Sequence, residues 1–318
     1  MSDLQTTMSA EFLPQKRLEE LLERWESYLK SEHAETTQAA YSKGLGLFRA
    51  WLHERRSDLQ NVTPVDVREW RDEMRESYAV QTVNLRLSAV RRFYAWLIEE
   101  GAPILNPAAN VRGASRRGKT GRHKRDELSA FEVLAVLDTC EDTQLGKRDR
   151  GILALMAYCA LRTIEVQRAD LGDLATRDGR SVLWVRGKGR AEADDFVVLP
   201  AAADVALRSW LIERGSEQVP LFVSLSRQNP GDRLSTRAIR GMVKDRFHLA
   251  AVVNGSKTTH SLRHSAISNA IRNGAEPLQV QAMARHKSFD TTLGYYHEIE
   301  RTTNPAEDLV NYNAEEAA

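Results

Sequence analysis

The chain has 318 residues, 42% of them apolar and 28% charged, which suits about two globular domains and excludes a wholly disordered protein. Its longest apolar run, 151–161, falls short of the roughly 20 residues that cross a bilayer, and residues 1–12 carry neither the basic nor the apolar region of a secretion signal. Two cysteines, Cys140 and Cys159, without a Cys-x-x-Cys pair, exclude a disulfide framework and a thiolate zinc site, so a reducing, cytoplasmic setting with no membrane contact is expected.

The first hundred residues predict four amphipathic helices. Over 15–31, Leu18, Leu22, Trp25 and Leu29 recur at helical spacing, and over 36–56 Tyr41, Leu45, Phe48 and Leu52 do the same. A third helix, 64–76, has Thr63 as N-cap and Pro64 at its first position. The fourth, 80–100, carries Val83, Leu87, Val90, Tyr94 and Leu97 and stops before Gly101 and Pro103. Residues 15–103 therefore read as one small helical domain.

Residues 104–125 read as a basic linker. Arg112, Arg116, Arg117, Lys119, Arg122, Lys124 and Arg125 fall here with no acid, so the stretch is +7 in a chain whose net charge is +1. Such a block suits a polyanion, with a solvated linker as the alternative. Within it, 113–120 matches the phosphate-loop pattern GxxxxGK[ST] letter for letter. That loop works only between a buried strand and a helix, and neither flank reads so; no nucleotide is expected.

Residues 126–305 form the second domain, followed by a tail, 306–318. Helices are predicted at 128–140, 148–161, 201–214, 236–252, 261–273 and 277–284. Strand-like pieces fall at 171–175, 182–185 and 196–199, with a further short one at 221–224. The fold class is thus mainly α with a small antiparallel β-sheet: a four-helix domain followed by a mixed α+β domain.

The chemistry concentrates in this second domain. Arg162 ends an apolar run, where a charge needs a partner or an anion, and Glu165 is three residues on. An ordinary buried ion pair would look the same. His260, Arg263 and His264 share one helix face at i, i+3 and i+4. A zinc site there would want Glu where Ser261 stands, and Arg263 would repel a dication, so no metal is expected. A phosphate suits the trio better, with arginine as clamp and histidine as proton donor. Lys188 sits at a turn between Gly187 and Gly189, either solvated or close to a ligand. Finally, His286 precedes Tyr295 by nine residues. A tyrosine is a weak nucleophile unless nearby cations stabilise its anion. Arginines, a lysine, histidines and a tyrosine, without paired carboxylates or a metal cluster, suit a phosphodiester, whose transition state places negative charge on two non-bridging oxygens.

At this point the sequence resembles the tyrosine recombinase (phage integrase) family, Xer-like in size and layout. The pieces ALRTIE, RGKGR, HSLRH, ARH and TTLGYYH occur in the family's order. The resemblance implies a helical core-binding domain at 15–103 and a catalytic domain at 126–305. It assigns catalytic positions to Arg162, Lys188, His260, Arg263, His286 and Tyr295, with Glu165 and His264 supporting. It further implies a clamp on double-stranded DNA carrying specific sites, with the linker along the phosphates, and a homo-tetramer acting on two sites. No cofactor is implied. Tyr295 would cleave a strand to a 3′-phosphotyrosine, which a 5′-hydroxyl then reverses. A type IB topoisomerase and a non-catalytic DNA-binding regulator are the alternatives. Three positions depart from the pattern: Ala160 and Arg285 replace glycines, and Ile164 a small residue. The arginine is expected to alter how its helix end meets DNA.

Overall fold

A computed structural model describes residues 13–115, 127–187, 192–217, 219–252, 256–303, 305 and 308. The chain divides into two compact units, Met1–His123 and Lys124–Ala318. Helices α1 Gln15–Glu32, α2 Glu35–Glu54, α3 Pro64–Ser77 and α4 Val80–Glu99 build the first unit. Each turns its apolar stripe inward: Leu18, Leu21, Trp25 and Leu29 of α1 are buried, as are Leu45, Phe48, Trp51 and Leu52 of α2. Leu22, expected on that stripe, is only partly buried, and Leu21 takes its place. Trp25 lies 5.3 Å, ring centre to ring centre, from both Phe93 and Trp96 of α4. Burying a side chain such as Phe93 contributes about 1.5–3 kcal/mol. Thr63 caps α3 reciprocally: its hydroxyl accepts from the Asp66 amide at 3.4 Å, and Asp66 Oδ2 accepts from the Thr63 amide at 2.7 Å. Beyond α4 the chain turns at Gly101, whose φ of 79° is open to glycine at little cost.

The segment read as a linker from 104 folds back on this unit as far as 115. Arg91 Nε donates to the Ala108 carbonyl at 3.1 Å and Nη2 to that of Val111 at 2.9 Å. The Asn84 amide pairs both polar backbone groups of Ala114, at 2.7 and 3.1 Å. Ala108, Val111 and Ala114 are buried as a result. These apolar residues follow no helix or strand period, so their spacing does not announce them. Residues 104–112, ahead of the phosphate-loop match, form no strand. Arg112 is exposed, while Arg116, Arg117, Lys119, Arg122, Lys124 and Arg125 lie outside the described residues.

The second unit has α5 Ala130–Asp138, α6 Gln144–Tyr158, α7 Thr163–Arg168, β1 Leu174–Arg177, β2 Arg180–Val185, β3 Asp195–Val198, α8 Ala201–Arg214, α9 Thr236–Leu249, α10 Thr259–Arg272, α11 Pro277–Ala284 and α12 Phe289–Thr303. Helix α6 is central: Ile152, Leu153, Leu155 and Met156 are fully buried, and it packs on α8 and α10. That explains the unbroken apolar run of its second half, 151–158. The strands form an antiparallel sheet in the order β1-β2-β3, with Leu183 opposite both Leu174 and Val197. Trp184 and Phe196 pair across β2 and β3 with ring centres 5.3 Å apart. Two sequence expectations shift. Leu171–Asp173 is a 3-10 turn that precedes β1, and 221–224 makes only an isolated bridge, Val223 to Arg233. Helix α7, six residues long, is too short to show a period in the sequence. A separate cluster joins Ala160 to Ile267, Ile271, Val280, Ala284, Tyr295, Tyr296 and Ile299, seating α12 on α10 and α11. Among the described residues no helix is long and apolar enough to cross a membrane.

Candidate active site

The site grows from the start of α7. Arg162 is its N-cap and Glu165 closes a capping box: Oε2 accepts from the Arg162 amide at 2.7 Å. The same carboxylate receives the Arg162 guanidinium, Nη1 to Oε1, at 2.7 Å. The pair is asymmetric: the Glu165 side chain is fully buried, whereas that of Arg162 is 31% exposed. The arginine thus presents one side to solvent and is not an ordinary buried ion pair.

Helix α10 supplies the second group. His260, Arg263 and His264 share a face, as their spacing predicts, because Thr258 caps the helix just ahead of them. Arg263 is 2% exposed, and its guanidinium donates to the carbonyls of Ala160 and Ala284. It thereby ties the segment before α7 to the end of α11. Burial, then the charges of Arg162 and Arg285, push the Arg263 pKa down. The His260 and His264 rings meet edge to face, 4.5 Å between centres. Desolvation, then Arg263 and Arg162, hold His260 below its ordinary pKa. Among the described residues no three His, Cys, Asp or Glu side chains converge as metal ligands would.

The third group follows α11. Arg285 adopts the left-handed conformation, φ 52° and ψ 50°, which reverses the chain so that His286 faces α12. His286 Nδ1 lies 2.9 Å from Thr292 Oγ1, a fully buried hydroxyl. Tyr295, 4% exposed, hydrogen-bonds through its phenol to His264 Nδ1. Its ring also stacks on His286 with centres 6.0 Å apart and planes at 17°. Tyr296, one residue on, points elsewhere: its phenol donates to the Ala275 carbonyl. Successive helical residues diverge by about 100°, so only one of the two can join the histidines.

Of the sequence-predicted set, Arg162, Glu165, His260, Arg263, His264, His286 and Tyr295 come together, while Lys188 lies outside the described residues. Its neighbour Gly187 lines a cavity of about 290 Å³ shared with Arg162, Glu165, Asp194, Arg285 and Lys287. Just past β2, the Arg186 guanidinium reaches Asp170 Oδ2 at 2.9 Å and Asp173 Oδ1 at 3.0 Å. Arg285, expected to alter how its helix end meets DNA, has its side chain 5% exposed and turned inward, Nη2 on Glu165 Oε2 at 2.7 Å. Burial raises the Glu165 carboxyl, but Arg285, and then Arg162, outweigh it and hold it below the ordinary carboxylate range. Its place at a glycine position was the one sequence signal for this residue.

Residues 126–301 match the model of the phage integrase family, and 22–101 that of the phage integrase N-terminal SAM-like domain. The chain is 30% identical over 293 residues to the tyrosine recombinase XerC of Listeria innocua serovar 6a, covering 87% of this chain and 93% of that one. It is 30% identical over 277 residues to the tyrosine recombinase XerD of Lacticaseibacillus casei, covering 83% and 88%. Its fold is similar to that of the XerH site-specific recombinase bound to a palindromic difH substrate, with TM-score 0.73, 18% identity and coverage of 93% and 89%. A lambda integrase dimer on a COC′ core site aligns with TM-score 0.65 at 18% identity, covering 86% and 96%. Two family models and relatives matched along most of their length agree with the geometry of α7, α10 and α12: the chain belongs to the phage integrase family and is a tyrosine-type site-specific recombinase.

Proposed function

We propose that the chain cuts and rejoins double-stranded DNA at specific paired sites, with Tyr295 as nucleophile. The observation that carries this reading is the setting of Tyr295: its phenol is bonded to His264, its ring lies on His286, and Arg263 and Arg162 are held through the adjoining backbone. Arg162 and Arg263 would bind the two non-bridging oxygens of the scissile phosphate, where charge develops. The Tyr295 oxygen attacks phosphorus, giving its proton to the histidine side. The bond from phosphorus to the 5′ oxygen breaks, and Lys188 or a histidine protonates that oxygen. The product is a 3′-phosphotyrosine and a free 5′-hydroxyl, and attack by the partner strand's hydroxyl reverses the step. Bond energy stays in the covalent intermediate, so neither nucleotide nor metal is needed.

DNA as partner is supported by the neighbours, several of which are recombinases bound to DNA. One of them is a lambda integrase tetramer on a Holliday junction, which supports a homo-tetramer on two sites for this chain. The linker residues from Arg112 to Arg125 would then follow the phosphates, in the cell compartment that holds the DNA. The test uses a suicide duplex bearing the sequence that the wild-type chain selects from a randomised library. Tyr295→Phe should abolish the covalent protein–DNA adduct and keep specific binding, while Tyr296→Phe still forms it. An adduct mapped to Tyr296 would overturn the assignment. Specific binding with no adduct from the wild type would favour a non-catalytic regulator.

A further inference from the structure

Arg285 occupies a position where the family pattern has glycine, in a backbone conformation that disfavours a Cβ. The side chain that the chain carries there is not spent on solvent. Nη2 donates to Glu165 Oε2 at 2.7 Å and to the Ala160 carbonyl at 3.2 Å, and Nε reaches Glu165 Oε1 at 3.4 Å. The fully buried Glu165 carboxylate therefore lies between two guanidiniums, that of Arg162 on its own helix and that of Arg285 from the end of α11. Alone with Arg162 it would make a neutral pair, and a neutral pair attracts a phosphate weakly. With Arg285 the trio keeps a net positive charge, and the carboxylate is fixed from both sides in a water-poor pocket where charge acts at short range.

We propose that Arg285 is a positioning residue of the recombination site: it takes up the charge of Glu165 and fixes its carboxylate, so that Arg162 keeps its own charge and its exposed edge for the scissile phosphate. This rests on the reading of Arg162 as a phosphate-binding group. The charged groups that face Glu165 are Arg162, Arg285 and Arg263, with Lys287, Asp194 and Asp195 around the same cavity. Arg285 is the first of the attractions that keep the buried Glu165 ionised. Glu165 has a lowered pKa in the folded chain, so its contribution is fully present above the ordinary carboxylate pKa. It is lost as pH falls through the folded value. Without Arg285 that loss moves to higher pH, and the acid limb of the cleavage rate moves with it.

The experiment measures DNA affinity and the single-turnover rate of adduct formation against pH, on the library-selected suicide duplex, for the wild type, R285G, R285K and R285Q. R285G restores the residue best suited to the backbone, so a folded protein is expected. Its cleavage should slow on the order of tenfold, less than the loss of a direct oxyanion donor, with affinity within about twofold. The acid limb should move to higher pH in R285G and R285Q, and R285K should recover most of the rate. Wild-type rate in R285G would overturn the proposal. So would equal slowing of R285G and R285K with an unmoved acid limb, which marks a purely structural clamp. Failure of both R285G and R285Q to melt cooperatively would do the same. A wild type that binds but forms no adduct overturns the phosphotyrosine reading, and this proposal with it.

Discussion

Two of the arginines differ in what their removal does to the folded chain. Arg263→Ala should cost much stability as well as activity, whereas Arg162→Ala should cost activity with little stability. The Arg263 guanidinium is almost wholly enclosed and serves the Ala160 and Ala284 carbonyls. Ala160 keeps a second donor, Arg285 Nη2 at 3.2 Å, so truncation strands chiefly the Ala284 carbonyl. An unpaired buried acceptor costs about 1–3 kcal/mol, and the lost burial of the aliphatic stem adds about 0.8 kcal/mol per methylene. Relief of repulsion among three neighbouring guanidiniums offsets part, which leaves roughly 3 kcal/mol. For a unit of this size that lowers Tm by about 6–12 °C. Arg162 is partly in water, and Glu165 retains both Arg285 and the Arg162 amide. Its loss should cost about 1 kcal/mol or less. Calorimetry of the full chain reads the difference in the transition of the second unit. Adduct formation should fall on the order of 10²- to 10³-fold in both variants. Equal melting temperatures for Arg263→Ala and wild type, or equal losses in the two variants, would refute the assignment of Arg263 as a structural tie.

Replacing Arg116, Arg117 and Lys119 together with Ala should weaken DNA binding on every sequence and flatten the dependence of log K on log salt by about one unit for each phosphate no longer neutralised; a slope equal to wild type would show that these residues miss the backbone. Adduct formation should persist in excess EDTA and without nucleotide, since cations of the protein take the place of a metal. Activity restored only by Mg²⁺ or ATP would sink the mechanism and revive the phosphate-loop match. His260 should titrate below its ordinary value of 6.5 in the free protein, as followed by the NMR shifts of its ring. Its neutral form is the one folding favours, so stability should fall as pH drops from 6.5 toward the lowered value. A phosphodiester in the site should move the titration upward, because an anion favours imidazolium. A midpoint at or above 6.5 in the free chain would contradict the lowered value.

The helices of the first unit were legible because each is long enough to repeat its apolar stripe, and because Thr63, Pro64 and Gly101 mark boundaries by their own chemistry. The site was legible in its reactive groups, since His260, Arg263 and His264 need only helical spacing to share a face. What stayed hidden depends on tertiary partners. The packing of 104–115 rests on Arg91 and Asn84 reaching its carbonyls, which no periodicity encodes. Helix α7 is shorter than two full turns and takes its order from the Glu165 capping box. The bond from Arg285 to Glu165 stayed hidden because the backbone reversal that turns this side chain inward is invisible in one dimension.

Ala160 shows how tightly composition is constrained at one point of the site. It has a φ of 52°, a conformation that costs a non-glycine residue roughly 1–2 kcal/mol. Yet its methyl group is fully buried in the cluster that seats Tyr295 and Tyr296. Glycine would relax the backbone and open a methyl-sized void beneath α12; a β-branched residue would fill the void and break the turn. Drift at this position is therefore squeezed between two opposed penalties. The carbonyl that the turn displays to Arg263 and Arg285 makes any slackening there felt at once in both arginines. The seat of the tyrosine helix and the aim of the arginine cluster thus vary as one trait, and a change that tunes one without the other has little room at residue 160.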